Sequence, residues 1–211
     1  QSIISYVFFN GKALTEKVGD LFDLFNELFS EYSFENSKRL IEIIRSAKAD
    51  MEDSIVPSGN HYVQSRLQSY HSRLGKFDEL TDGITYYRFL EGLLEQVEKD
   101  PQAVAHQFQK VAERIFTKQN ILFNVTCEEK DYPKIEKRLN SLYDLLSDGK
   151  SEVEKWDFKA VSENEGFLTA SNVQHVGKGA NLYEMGFKYS GQFEVLKGLL
   201  RTGYLWDKVR V

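Results

Sequence analysis

Apolar side chains recur every three to four residues through most of the first 148 positions, a spacing that gives each of several helices one dry face and one wet face. Val18, Leu21, Phe22, Phe25, Leu28 and Phe29 form the first stripe, and Leu40, Ile44, Ala47, Met51 and Ile55 the second, over 34–55. Val63, Leu67, Tyr70 and Leu74 mark a more polar element over 61–74, and residues 85–98 predict another helix. Val104, Phe108, Val111 and Ile115 give the inner face of the next, and Ile135, Leu139, Leu142, Tyr143 and Leu146 that of the last. The punctuation agrees. Asn10-Gly11 is a turn signal, Thr15 is expected to cap the first helix, and Pro57-Ser58-Gly59 breaks the second. Asp100 is expected to cap the helix that follows, with Pro101 at the first helical position, where its missing N–H costs nothing.

Two runs depart from helical spacing. Residues 3–9 are apolar on both faces and rich in β-formers, and residues 120–126 read the same way, so both predict strands. Helices between strands predict an α+β domain over 1–148, its helices packed on a sheet. Residues 149–165 read as a charged linker with Trp156 and Phe158 as its large apolar residues. Residues 166–211 predict the truncated start of a second α+β unit. Met185, Phe187 and Tyr189 alternate as in a strand; Val195, Leu196, Leu199 and Leu200 follow at helical spacing; Gly203 ends that helix before Tyr204-Leu205-Trp206. Such a unit lacks the strands to finish its sheet. It is expected to pack on the first domain or on a neighbouring chain, since an exposed apolar patch favours self-association. The chain stops one residue after Arg210, inside a motif, which predicts a piece of a larger protein.

The chemistry is narrowed by what the residues can hold. Four histidines occur, His61, His71, His106 and His175, and none lies four residues from another. Neither H-x-x-E-H nor H-E-x-x-H is present, so no metal site and no catalytic residue is expected in this chain. Gly177-Lys178-Gly179 lacks phosphate-loop spacing and predicts a hairpin turn. The acidic groups at 50–53 and 128–131 lack the alternating oxygen ligands of a calcium loop and read as solvated. Cys127 stands alone, which excludes an internal disulfide, fits a reducing compartment and predicts a small apolar residue at a strand end. The sequon Asn124-Val125-Thr126 falls in an apolar run expected to be buried. A net charge of −5 argues against nucleic acid, and no apolar run is long enough for a membrane span.

The run Tyr189-Ser190-Gly191 with Leu200-Arg201-Thr202-Gly203-Tyr204-Leu205-Trp206-Asp207-Lys208-Val209-Arg210-Val211 resembles the presequence protease branch of the pitrilysin/insulinase family of zinc metallopeptidases. Residues 8–14, 46–62 and 164–183 resemble the same branch in the same order. The family's Gly-Gly-Ala-Tyr-Gly continuation is not in this chain. The resemblance implies an antiparallel-rich sheet and a parent enzyme that degrades short unfolded peptides in a closed two-half chamber. It implies zinc bound outside this chain, in the N-terminal catalytic half, which would be this piece's partner along with peptide substrates. It also implies that Arg210 reaches the catalytic centre from the C-terminal half and binds substrate backbone, a planar fork of donors beside a developing oxyanion. The compartment implied is bacterial cytoplasm, or an organelle matrix for a eukaryotic source.

Two other classes fit the residues. One is a catalytically silent structural subunit of the same family, separated by the presence or absence of H-x-x-E-H upstream. The other is an unrelated helical interaction module, which a fold without a sheet joining 3–9 to 121–126 would favour.

Overall fold

The computed structural model describes residues 4–149 and 163–209, which divide into two compact units, Gln1–Val176 and Gly177–Val211. Residues 150–162, most of the expected linker with Trp156 and Phe158, lie outside the described residues, as does Arg210.

The first unit is helical: α1 Val18–Ser30, α2 Ser37–Ile55, α3 Gly59–His71, α4 Arg73–Asp82, α5 Ile84–Lys99, α6 Pro101–Ile115 and α7 Tyr132–Asp144. Asp100 caps α6 as expected, accepting the Ala103 N–H at 3.0 Å ahead of Pro101. Thr15 does not cap α1. The chain tightens into a 3-10 turn over Thr15–Lys17, closed by Lys17 N–H to Leu14 O at 2.8 Å, and α1 begins after it. The single element expected over 61–74 is two helices. Ser72 between them is extended (φ −147°, ψ 148°), and its hydroxyl accepts the Gly75 N–H at 2.9 Å to cap α4. The buried face of α3 is Tyr62, Ser65 and Ser69 rather than the expected stripe, and Leu74 is 61% exposed. Small side chains explain the change. A Cβ on Gly75 would come within 2.5 Å of the Gln68 backbone, so α4 lies against α3 closer than a larger residue permits.

Three apolar clusters form the core. Leu40 and Ile44 of α2 meet Leu93 and Val97 of α5 and Val104 and Ala105 of α6. Met51 of α2 meets Tyr62 of α3 and Ile84 and Leu90 of α5. Apart from these, Phe22 and Phe29 of α1 pack with Ile135 and Leu142 of α7 and Leu146. An aromatic seam joins this last cluster to the first. Phe29 contacts Phe116 (ring centroids 5.0 Å apart), Phe116 contacts Tyr32 (5.3 Å), Tyr32 contacts Phe34 (5.9 Å), and Phe34 stacks on Phe108 (5.6 Å).

The α+β expectation is wrong. Among the described residues no strand forms, and the backbone pairing outside helices is an isolated parallel bridge, Thr117 with Ser147. A strand needs a neighbouring edge for its N–H and C=O groups. Residues 4–9 and 120–126 instead run extended over helices. Ile121 and Phe123 turn into the α1–α7 cluster while Leu122 is 79% exposed. Phe9 sets its ring against Phe29 and Phe116, while Ile4, Val7 and Phe8 stay exposed. The period-2 alternation is real, but a single extended segment on a helical surface produces it without a sheet. Asn124 and Cys127, expected to be buried and at a strand end, are exposed.

The second unit holds α8 Gly191–Leu199, a π turn Leu200–Tyr204 and α9 Leu205–Val209. The strand expected over 185–190 and the hairpin over 177–179 are not formed. The chain turns at Gly186, whose φ of 88° favours glycine, and Phe187 packs on Phe193 of α8 at 4.6 Å. The π turn carries the helical path past Gly203 into α9.

Candidate functional site

The first unit's main concentration of buried charge is where α3, α4 and α5 meet. Glu79 of α4 is fully buried. Its Oε1 accepts from Arg66 Nη1 at 3.2 Å, Thr85 N–H at 3.1 Å and Thr85 Oγ1 at 3.1 Å; its Oε2 accepts from Ser65 Oγ at 3.2 Å. A Cβ on Gly83 would fall 2.1 Å from Oε2, so the glycine makes room for the carboxylate. Gly83 is also the N-cap of α5 and has no side chain to cap it. Glu79 does that work from the preceding helix, placing negative charge where free N–H groups favour it.

Arg66 extends the cluster outward. Its Nε and Nη2 donate to the two oxygens of Glu165 at 2.6 and 2.7 Å, a bidentate pair, and the Tyr70 hydroxyl also donates to Glu165. The hydrogen bonds from Arg66, with Tyr70 adding to them, hold the Glu165 carboxyl down at about 2 against the smaller opposing effect of burial. Burial pushes the Tyr70 hydroxyl up. The Phe167 ring lies 6.0 Å from the Arg66 guanidinium and 5.5 Å from that of Arg88. None of Arg66, Glu79 and Glu165 is distinguished by a motif. Gly75 and Glu79, one turn apart on α4, were the available sign that a charge sat on a close-packed face.

The histidines do not assemble. His61 and His71 lie on α3, His106 on α6, and His175 in the extended segment after Glu165. His61 lines a polar groove of about 190 Å³ between α3 and α4 with Gln64, Gln68, Asp78, Thr81 and Asp82. Among the described residues no three of His, Cys, Asp and Glu gather so as to hold a metal ion. The donor set that zinc requires does not fit this chain, and no chemistry is routed through it. Met51 in the 50–53 acidic group is buried while its carboxylates face outward, Glu52 pairing with Lys48 at 2.7 Å; Glu128 pairs with Lys130 at 2.6 Å. Among the described residues no helix is long and apolar enough to cross a membrane.

A family model described as peptidase associated, for subfamily C of the sixteenth metallopeptidase family, matches residues 1–93. Protein HypA of Clostridium perfringens is 32% identical over 206 residues, covering 98% of this chain and 21% of that protein. Presequence protease 1, chloroplastic/mitochondrial, of Arabidopsis thaliana is 26% identical over 208 residues, covering 98% of this chain and 19% of that protein. Presequence protease, mitochondrial, of Yarrowia lipolytica is 29% identical over 119 residues, covering 56% and 12%. The chain spans about a fifth of the length of the first two of these relatives.

Proposed function

The chain belongs to the presequence protease branch of the pitrilysin family, and from that premise we propose that it is a non-catalytic part of the C-terminal half of a zinc-dependent metalloendopeptidase that degrades short unfolded peptides. The observation that carries this reading is the match along 98% of the chain to proteins named as proteases, in a sequence with no zinc-binding motif of its own. Zinc and the general base then belong to the N-terminal half of the same polypeptide, the partner of this region. The helical first unit serves as chamber wall. The second unit carries Arg210 toward the substrate, where its guanidinium anchors peptide backbone and steadies charge on the reacting carbonyl. The apolar residues Val195, Leu196 and Leu199 would find their cover in the domain of which α8 is the start. The compartment follows the relatives: bacterial cytoplasm, or an organelle matrix for a eukaryotic source.

An unrelated helical module was the reading that a missing sheet would favour. Ordered identity of 32% over 206 residues weighs more than the missing sheet, and supports common descent.

The test compares the full polypeptide with the isolated 211-residue chain. The full polypeptide is expected to cleave an unstructured peptide and to lose that activity to a chelator, and the isolated chain to cleave nothing. Arg210→Ala in the full polypeptide is expected to lower kcat by roughly 10²–10³. Chelator-sensitive cleavage by the isolated chain, or full activity in the Arg210 variant with zinc loaded, overturns the corresponding part of the reading.

A further inference from the structure

The segment after residue 162 is fastened to α3 at both ends and almost nowhere between. At one end Glu165 sits in the fork of Arg66 under the Tyr70 hydroxyl, with Phe167 against Arg66 and Arg88. At the other, the His175 ring covers the start of α3 so closely that a Cβ on Gly59 would lie 2.5 Å from its Cδ2. Between Gly59 and Tyr70 an α-helix rises roughly 16 Å. The ten residues from Glu165 to His175 could reach ~33 Å when extended, so the connection is slack. Its local bonds are short-range, Ser171 N–H to Thr169 Oγ1 and Val173 N–H to Ser171 Oγ, and Leu168 is fully exposed. A slack segment held at its ends stays only while the ends hold.

The main end also separates cleanly from the core. Arg66 uses Nη1 for buried Glu79 and Thr85, and Nε with Nη2 for Glu165. Glu165 can leave without unpairing Glu79.

We propose that residues 163–176 are a releasable strap, and that the surface formed by Arg66, Tyr70 and Arg88 is a docking site for a Glu-x-Phe segment, occupied by Glu165-Gly166-Phe167 of the same chain. The carboxylate takes the guanidinium fork and the phenol; the ring takes the faces of two cations. Engaged, the strap fixes the path of the chain as far as Val176. Released, it leaves an anion-and-aromatic receptor on a helical unit that remains folded. The inference does not depend on peptidase activity.

The test is limited proteolysis of the full polypeptide with chymotrypsin, following the Phe167–Leu168 bond by mass spectrometry. Glu165→Gln and Tyr70→Phe keep shape and leave Glu79 untouched. Each is expected to speed cleavage at Phe167, Glu165→Gln by about tenfold, the factor carried by a charge-assisted hydrogen bond. Cleavage after Phe8, exposed far along the sequence, is expected to stay constant. The double variant is expected to be cut no faster than Glu165→Gln alone, because both changes open one clasp. Equal rates for the wild type and Glu165→Gln, fully multiplicative effects of the two changes, or a parallel rise at Phe8 would each overturn the proposal.

Discussion

The Glu79 carboxylate accepts the Thr85 backbone N–H at 3.1 Å, so a side chain of α4 caps α5 across a glycine that cannot cap it. The same carboxylate neutralises Arg66 of α3. One buried group therefore ties three helices. Glu79→Ala leaves Arg66 part-buried and the first turn of α5 uncapped, and is expected to cost roughly 3–5 kcal/mol in chemical denaturation. A loss below about 1 kcal/mol would mean the cluster relaxes around its absence.

Gly75 sets how close α4 lies to α3. Gly75→Ala would normally favour a helix by roughly 1 kcal/mol. Here its Cβ would sit 2.5 Å from Gln68 backbone atoms, which cannot swing aside as a side-chain tip would. Net destabilisation of roughly 1–3 kcal/mol is expected, read as a fall in Tm. A rise in Tm would show that the two helices part without penalty.

The pH dependence of the strap follows from Glu165. Its carboxyl is held at about 2, below its ordinary 4.5, so the folded state binds the proton less readily than the unfolded chain. The clasp's contribution is thus fully present above 4.5 and is lost as pH falls through about 2. Facing groups are Arg66, Arg88 and the Tyr70 hydroxyl, none of which changes charge in that window. The stability gap between wild type and Glu165→Gln, measured in urea, is expected to be flat from about pH 7 to 5 and to shrink on further acidification. A gap that widens with acid would refute the assignment.

Thr117 and Gly149 make an opposed pair. The Thr117 hydroxyl is buried with no hydrogen-bond partner, so Thr117→Val removes a polar group while keeping shape. Unchanged stability, or a gain of roughly 1 kcal/mol, is expected. Gly149→Ala would drive a Cβ to 2.5 Å from Thr117 Cγ2, where Lys118 N–H already binds Ser147 O at 3.1 Å. A loss of roughly 1–3 kcal/mol is expected from that variant in the same melting assay.

Much of the helical framework was legible. The stripes on α1, α2, α6 and α7 supply Phe22, Leu40, Ile44, Val104 and Ile135 to the core, and the Asp100-Pro101 start is where its residues put it. Alternation misled over 120–126, because one extended segment against helices buries Ile121 and Phe123 just as a strand would. The polar seam of α3 was illegible for a different reason. Ser65, Ser69 and Gly75 are buried by closeness of approach, which hydrophobic periodicity does not register. The Arg66–Glu165 pair joins residues 99 positions apart, and no spacing rule reaches that far. The resemblance located the chain's family, which no arrangement of its charges could have done.

The π turn at Leu200–Tyr204 takes one residue more than an ordinary helical turn. Each residue advances about 100° around a helix, so every side chain beyond the bulge is rotated by that angle from where counting along α8 would put it. Trp206 therefore does not continue the row of Val195 and Leu199. Excising Gly203 alone would re-phase α9 and swing its indole to a new azimuth, a larger disturbance than losing a hydrogen atom's worth of side chain suggests.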